Sequence, residues 1–352
     1  MTGLPDPDGR AAIDAALAAP VRVAHALGSQ RGRLRLVGEL ATVYPRLVVA
    51  GHGAALAVGR ALVAAARAAG GDAVALPTSE ILLHPTHVDG RTLLLVVASG
   101  DDARAHRLVT EAAALPARPL IAVAVDAAGT ALADAADVSF TSDVDPDTGP
   151  PLAGPLASAV LLSAIARMLT WGASAEIDDV LALTADAATA VERAGRSLAD
   201  LPAERLTILT SLLGGRAGLL VTGRDGGRAA AELAALAWWT NAGRAVAVCD
   251  AADLAEGPIE AAGRDLSVLV LSPDSAANAA DRDVAAEFAR AGSAVVFVGP
   301  RSSAPHGVEA VVLPEIDPVV DPVVAALVAT IVGRRVAADR GRPVGRRVHA
   351  PR

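Results

Sequence analysis

The chain has 352 residues, a length that favours two domains rather than one. Its residues are 53% hydrophobic but only 2% aromatic, so small aliphatic side chains must form the cores. A net charge of −8, with clustered positive charge only in the C-terminal tail, argues against a nucleic-acid-binding protein. The single cysteine, Cys249, excludes a disulfide framework and fits a reducing compartment.

The sequence also predicts where the protein is located. Its first residues, MTGLPDPDGR, contain acids and prolines but no apolar segment, so we expect no signal peptide. The apolar stretch 152–166 contains Pro155 and is about 15 residues long, whereas a membrane-spanning helix needs about 20. We therefore expect a cytoplasmic protein without a membrane segment.

The first half of the chain alternates strands with helices. The predicted strands are nearly continuous in apolar residues, which is typical of a parallel sheet covered on both faces. Gly51 and Gly53 form a turn after the first strand, and Gly70-Gly71 ends the helix that follows. The predicted elements are strand 47–50, helix 54–69, strands 73–76 and 92–98, helix 101–114, and strands 120–125 and 138–141.

The same order returns in the second half. Gly223 in the second half corresponds to Gly51 in the first, and Gly243 corresponds to Gly71. Both pairs are separated by 172 positions. The fixed separation predicts an internal duplication. We expect an α/β protein with two tandem, flavodoxin-like domains, each a five-stranded parallel sheet between two layers of helices. The predicted elements are strand 219–222, helix 227–240, strands 245–249 and 266–271, helix 281–290, and strands 293–298 and 308–313.

Further helices are predicted at 152–169, 176–196, 198–213 and 321–336, the last with Asp321 as N-cap and Pro322 at its first position. These helices suggest how the domains are joined. We predict an N-terminal helical segment at 1–31, a first domain at 32–171, a helical linker at 172–214, a second domain at 215–336 and a tail at 337–352.

Four short segments resemble motifs of one known family. They are Thr78-Ser79-Glu80, the turn Ser99-Gly100-Asp101, the segment Glu256-Gly257-Pro258, and the tail from Asp339 to Val348. In this order and at this spacing, the chain resembles the double sugar-isomerase (SIS) domain family of phosphosugar isomerases. The resemblance implies a sugar or sugar-phosphate ligand, no cofactor and no metal, and a homodimer. We expect the dimer to form through the alanine-rich linker helices and the Trp238-Trp239 region.

The resemblance also implies a phosphate cradle at the carboxyl ends of the first-domain strands. Its residues would be Gly51, His52 and Gly53 after the first strand, and Ser99, Gly100 and Asp102 after the strand at 92–98. His52 is either a ligand contact or a plain turn residue. Ser99 is either a phosphate ligand or a helix N-cap completed by Asp102, whose carboxylate would repel a phosphate.

At the family's catalytic positions the sequence departs from the pattern. Aligned from Gly223-Arg224, Thr240 stands at the catalytic glutamate, Glu256 at the ring-opening histidine and Arg346 at the tail lysine. Threonine cannot move a proton between sugar carbons, whereas arginine can still hold an anion. Glu256 is either a displaced acid–base group or a solvated loop residue. Arg224, Thr240 and Arg346 are therefore predicted ligand contacts, and Glu256 is the catalytic candidate.

Two functions remain open, beside the third possibility of a structural paralogue that has lost its ligand. The resemblance implies a phosphosugar isomerase or deglycase, and the altered positions imply a non-catalytic sugar-phosphate sensor or partner subunit. A metal site is not expected at Asp143, Asp145 and Asp147, because the loop brings no histidine or cysteine partners. Nor is one expected at His84 and His87, which have no companion ligand.

Overall fold

The computed structural model describes residues 10–99, 102–125, 130–144, 153–256, 258–273, 278–300 and 305–341. Residues 15–192 and 316–320 form one compact unit, called the first unit. The remainder, 10–14, 193–315 and the segment from 321 onward, forms the second unit. Each unit contains one sheet. The domain boundaries given above remain predictions.

The elements up to position 171 are α1 (Arg10–Leu17), α2 (Ala19–Ala26), α3 (Arg31–Leu40), β1 (Arg46–Gly51), α4 (Gly53–Ala68), β2 (Asp72–Pro77), α5 (Thr78–Leu83), β3 (Thr92–Val97), α6 (Ala103–Ala113), β4 (Leu120–Val125), α7 (Ala131–Asp134), β5 (Val138–Thr141) and α8 (Ala153–Trp171). The later elements are α9 (Ile177–Ala199), α10 (Ala203–Gly214), β6 (Gly218–Gly223), α11 (Gly226–Asn241), β7 (Ala247–Asp250), β8 (Leu266–Leu271), α12 (Asn278–Arg290), β9 (Ala294–Gly299), β10 (Glu309–Val312) and α13 (Asp321–Asp339).

Both sheets are parallel and have five strands. The first has the order β2-β1-β3-β4-β5 and the second β10-β9-β8-β6-β7. Counted from its own first strand, each sheet has the flavodoxin-like order 2-1-3-4-5. The prediction of two five-stranded parallel sheets is confirmed.

Helices cover both faces of the first sheet. On one face, Leu108 of α6 lies in a buried apolar cluster with Val48 and Leu94. Val49, the next residue along β1, points to the other face, where a Cβ on Gly59 of α4 would lie 2.7 Å from its Cγ1 atom. The alternation of Val48 and Val49 between two helical layers confirms the predicted three-layer arrangement.

The second unit uses two of the three phenylalanines for its core. Phe288 of α12 and Phe297 of β9 lie in one buried cluster with Leu220 and Val268. On α11, Trp238 is fully buried, and its ring lies 3.8 Å from the position that a Cβ on Gly333 of α13 would occupy. Small side chains therefore allow α11 and α13 to pack closely.

Several observed helix ends differ from the predicted ones, among them those of α6, α9 and α10. Helix α6 begins at Ala103 rather than at 101, and α10 begins at Ala203 rather than at 198. Pro202 precedes α10 with a ψ of 141°, outside the helical range, and a proline disfavours helical geometry in the residue before it. Helix α9 correspondingly continues to Ala199, three residues beyond its predicted end.

Two helical segments are long and apolar enough to cross a membrane by length and composition, Arg10–Leu40 and Ala153–Trp171. Such segments are weak evidence for a membrane protein, because a core helix passes the same test. Of the apolar window in Ala153–Trp171, 67% is buried within the protein.

Asp317 attaches a short late segment of the chain to the first unit. Its side chain is 6% exposed and accepts hydrogen bonds from Ser163 Oγ at 2.9 Å and from Arg167 Nη2 at 2.7 Å. The Arg167 guanidinium also donates to Thr184 at 2.9 Å. A buried carboxylate with an arginine and a hydroxyl partner holds residues 316–320 against α8.

Gly223 and Gly227 allow the start of α11 to approach the sheet. A Cβ on Gly223 would lie 2.3 Å from the carbonyl oxygen of Leu271 and 2.6 Å from the backbone of Gly227. A Cβ on Gly227 would also lie 2.3 Å from the same oxygen. The contacting atoms belong to the backbone, so they cannot move aside as a side chain would.

We predict that Gly223→Ala destabilises the protein by roughly 2–3 kcal/mol, the upper part of the range for overpacked sites. The control is Gly32→Ala in α3, where an added Cβ would meet nothing within 4 Å. This control should be neutral or stabilising by up to about 1 kcal/mol. Urea unfolding followed by circular dichroism measures both. Equal stability of the two variants would contradict the packing argument.

Candidate active site

Each sheet has a switch point at the carboxyl end of its first strand. In the first sheet, β1 lies between β2 and β3, so the connections after β1 and β3 leave in opposite directions. In the second sheet, β6 lies between β7 and β8 in the same way. Ligands of open parallel sheets bind in the crevice formed at such points. The residues that follow β1, β3, β6 and β8 are therefore the candidate ligand-binding residues.

A tight turn projects His52 from the end of β1. A Cβ on Gly51 would lie 2.9 Å from the backbone nitrogen of Leu56 in α4, so glycine is required there. His52 has extended backbone geometry and stands at the N-cap of α4 without a side-chain cap bond. Gly53 follows with φ +54°. The imidazole is thus held at the edge of the sheet and is not used to cap the helix.

Asp102, and not Ser99, is the N-cap of α6. One carboxylate oxygen of Asp102, Oδ1, accepts a hydrogen bond from the backbone N–H of Arg104 at 2.9 Å. Ser99 follows β3 and is exposed. The alternative in which Ser99 caps the helix is therefore wrong, and Asp102 lies before the first helical turn rather than within it. Gly100 and Asp101 lie outside the described residues.

The structure brings His52 and Asp102 together. Nδ1 of His52 lies 3.0 Å from Oδ2 of Asp102, although the two atoms do not form a hydrogen bond. The Asp102 side chain is 10% exposed and the His52 side chain 41%. Both contacting atoms are buried. The remainder of the imidazole, which includes Nε2, therefore carries the exposed surface.

Arg224 makes the corresponding contact in the second unit. Its Nε donates to Oδ1 of Asp281 at 3.1 Å, and Asp281, in the first turn of α12, is fully buried. Burial raises the pKa of Asp281 to about 6, while hydrogen bonding by Ser272 and the charge of Arg224 act in the opposite direction. Ser272 follows β8 directly.

The two edges share one arrangement. In each unit, the residue after the first strand contacts a carboxylate at the start of the helix that follows the third strand, as His52 contacts Asp102 and Arg224 contacts Asp281. His52, Asp102 and Arg224 were predicted as candidates, but Asp281 was not. The sequence feature that could have identified Asp281 is an acidic residue in the first turn of the helix after β8, combined with an arginine directly after β6.

Asp225 has a strained backbone. It lies 172 positions after Gly53, and both residues have a positive φ, +54° at Gly53 and +46° at Asp225. Asp225 is exposed and makes no side-chain cap bond to α11. A non-glycine residue in this region costs of the order of 1–3 kcal/mol.

The remaining predicted residues lie elsewhere. Thr240 is exposed near the end of α11, and its hydroxyl donates to the carbonyl of Leu236 at 2.9 Å. The 14 helical steps from Gly226 to Thr240 span about 21 Å, so Thr240 and Arg224 are not brought together. Glu256 ends a short 3₁₀ turn that begins at Asp253, and its side chain lies outside the described residues, as does all of Arg346.

Residues 10–99 and the other described ranges contain no group of three or more histidine, cysteine or acidic side chains that could hold a metal ion. The His84 and His87 rings pack edge to face with centroids 6.2 Å apart, and Nε2 of His87 lies 3.6 Å from Oε1 of Glu80. Asp143 accepts from the Thr141 hydroxyl at 3.2 Å. Asp145 and Asp147 are outside the described ranges.

We predict that replacing Asp281 changes how stability depends on pH. Because its folded pKa, about 6, exceeds the usual 3.8, the folded protein holds an extra proton between about pH 4 and pH 6. The contribution of Asp281 is most favourable below pH 4 and declines as the pH rises through 6. The stability of the wild type relative to Asp281→Asn should therefore fall by on the order of 3 kcal/mol between pH 4 and pH 7.

Denaturant unfolding at a series of pH values measures this difference. The control is Asp283→Asn, an exposed carboxylate in the same helix, which should differ from the wild type by a constant amount at every pH. A pH-independent difference for Asp281→Asn would show that burial does not perturb its ionisation.

We also predict that Asp225→Gly stabilises the protein by about 1 kcal/mol, because glycine adopts positive φ without strain. Asp225→Ala removes the same carboxylate but keeps a Cβ, so it should give no stabilisation. Thermal unfolding of both variants separates backbone strain from charge. Equal stabilisation by alanine and glycine would assign the effect to the carboxylate.

No family model matches the sequence, and no curated protein matches it. Solved structures do share its fold. The C-terminal domain of glucosamine-fructose-6-phosphate aminotransferase from Francisella tularensis is 14% identical, with a TM-score of 0.76 over 94% of this chain and 95% of that one. Tagatose-6-phosphate ketose/aldose isomerase from Escherichia coli is 17% identical, with a TM-score of 0.71 over 95% and 94%.

A third structure, glucosamine-6-phosphate deaminase from Thermotoga maritima, is 12% identical, with a TM-score of 0.63 over 91% of this chain and 95% of that one. Identities this low establish a shared fold and no more. The chain therefore has the fold of these phosphosugar enzymes over nearly its whole length, which confirms the resemblance to the SIS family at the level of the fold.

Proposed function

We propose that the chain is a double SIS protein that binds a carbohydrate derivative, in the first place a phosphosugar, at the carboxyl edge of its first sheet. The observation that carries the proposal is the switch point between β1 and β3, where His52 and Ser99 follow adjacent strands. The fold similarity supports it, because three enzymes named for sugar phosphates share the fold over at least 91% of this chain.

The proposal includes an internal duplication. The two sheets have the same strand order, and Gly53 and Asp225, 172 positions apart, share a positive φ. In each unit the residue after the first strand contacts a carboxylate near the start of the helix that follows the third strand, as His52–Asp102 and Arg224–Asp281. A common ancestral unit accounts for all three similarities.

The proposed reaction is aldose–ketose isomerisation or deamination of a phosphosugar. The alternative is a non-catalytic sensor or partner subunit. Thr240, at the position of the family's catalytic glutamate, favours the alternative because its hydroxyl donates back to its own helix and carries no titratable group. The turnover of a bound sugar separates the two functions.

We further propose a cytoplasmic homodimer. Of the predicted interface pair, Trp238 is buried within the second unit, and Trp239 is 50% exposed on α11. Only Trp239 is therefore available to a second copy. Ile208 on α10 is also largely exposed, as expected of an apolar residue at an interface.

Calorimetry tests the proposed ligand. We expect the protein to bind fructose-6-phosphate or glucosamine-6-phosphate more tightly than fructose or glucosamine. Ser99→Ala should weaken the phosphosugar about threefold to tenfold, the effect of one lost hydrogen bond. Ser197→Ala, an exposed serine on α9, is the control and should have no effect. No binding of any of the four sugars would overturn the proposal.

A further inference from the structure

We propose that His52 is the general base of the first-unit site and that Asp102 is its positioning residue. The inference rests on the proposed function, since it assigns a proton transfer to that site. It assigns the proton transfer to His52 rather than to Glu256 or Thr240. The contact that carries it is between Nδ1 of His52 and Oδ2 of Asp102, 3.0 Å apart and both buried.

This contact selects one tautomer of the imidazole. Two acceptor atoms 3.0 Å apart would repel each other, and an ionised carboxylate is only an acceptor. Nδ1 must therefore carry a proton, and in the neutral ring Nε2 is then left with a free lone pair. A carboxylate that fixes the tautomer of a histidine in this way prepares Nε2 to accept a proton.

Asp102 is itself held in place. Its Oδ1 accepts the N–H of Arg104 as the N-cap of α6, which leaves Oδ2 to face the imidazole. A cap needs only one carboxylate oxygen and usually leaves the side chain in solvent, but this side chain is only 10% exposed. The second oxygen is buried because it faces His52.

The lack of a formed hydrogen bond between these two atoms is compatible with this role. Hydrogen bonds between catalytic groups are often poorly aligned without substrate and improve in the bound complex. His52 stands after Gly51, where the turn is tight, and its ring is 41% exposed at the switch point. A sugar in the crevice between β1 and β3 would meet the exposed part of the ring, which includes Nε2.

The step is a proton transfer between adjacent sugar carbons. Nε2 takes the proton from C2 of the open-chain aldose, and the electron pair of the C2–H bond forms a C1–C2 double bond. The electron pair of the C1 carbonyl bond moves to the C1 oxygen, which takes a proton from water. The C2 hydroxyl, or the C2 amine of glucosamine-6-phosphate, then loses a proton to water as the C2 carbonyl or imine forms, and Nε2–H returns its proton to C1. The product is an isomer, so no oxidant or reductant is needed.

The test uses the full-length protein in D2O with glucosamine-6-phosphate and fructose-6-phosphate. Proton NMR follows the replacement of the C2 or C1 hydrogen by deuterium. His52→Gln should slow this exchange at least 100-fold, within the range for a lost acid–base group. His106→Gln, an exposed histidine on α6, should leave it unchanged.

Asp102→Asn tests the positioning role, because asparagine remains a good N-cap for α6 but presents an amide to His52. We expect slower exchange with sugar binding within about threefold of the wild type, since the cap is kept. The ¹⁵N shifts of labelled histidine should show Nδ1–H in the wild type and a change towards Nε2–H in the variant. If Asp102 had only a structural role, its replacement by asparagine would leave the tautomer of His52 unchanged.

Three results would overturn the inference: no exchange in the wild type, full exchange in His52→Gln, or the same tautomer in Asp102→Asn and the wild type. Calorimetry on the same samples distinguishes a failure of the general-base assignment from a failure of the proposed function. Sugar binding without exchange would overturn the general base and leave the proposed ligand. Absence of both binding and exchange would overturn both proposals.

Discussion

The parallel direction of the strands is the constraint on which both candidate sites depend. Each connection must return to the opposite edge of the sheet before the next strand begins, so the carboxyl ends of all five strands share one edge. Residues about fifty positions apart then become neighbours: His52 after β1 lies beside Asp102 after β3. In the second unit the same constraint places Arg224 beside Asp281.

At this edge, backbone geometry decides which side chains are available. The turn after β1 uses Gly51 and Gly53, and the turn after β6 uses Gly223 and Gly227 to bring α11 close to the carbonyl of Leu271. The second turn retains a positive φ at Asp225, where a glycine would be relaxed. The two turns thus share a positive φ at equivalent positions, Gly53 and Asp225, but present different side chains.

Most of the fold followed from the sequence, because apolar strands between glycine turns and amphipathic helices are local patterns. The start of α10 was missed because Pro202, inside an otherwise continuous helical pattern, ends the preceding helix. The contacts at the candidate site were harder to predict. His52 and Asp102 were both candidates, yet nothing in their spacing showed that they touch, because this depends on strand order and register. Asp281 was missed for the same reason, and the strain at Asp225 is not visible in a residue type that turns commonly contain.

Asp317 has a consequence for how the chain is made. The carboxylate that bonds Ser163 and Arg167 belongs to residues 316–320, so the first unit includes a segment synthesised after most of the second. On the ribosome, the first sheet can form early. Helix α8 can bind the carboxylate of Asp317 only after about nine-tenths of the chain has been synthesised. Until then Asp317 is not available to the Arg167 guanidinium, which it contacts in the folded protein. Maturation of the first unit is therefore tied to the end of translation, and a fragment cut at the middle of the chain would contain every strand of the first sheet and still lack part of the first unit.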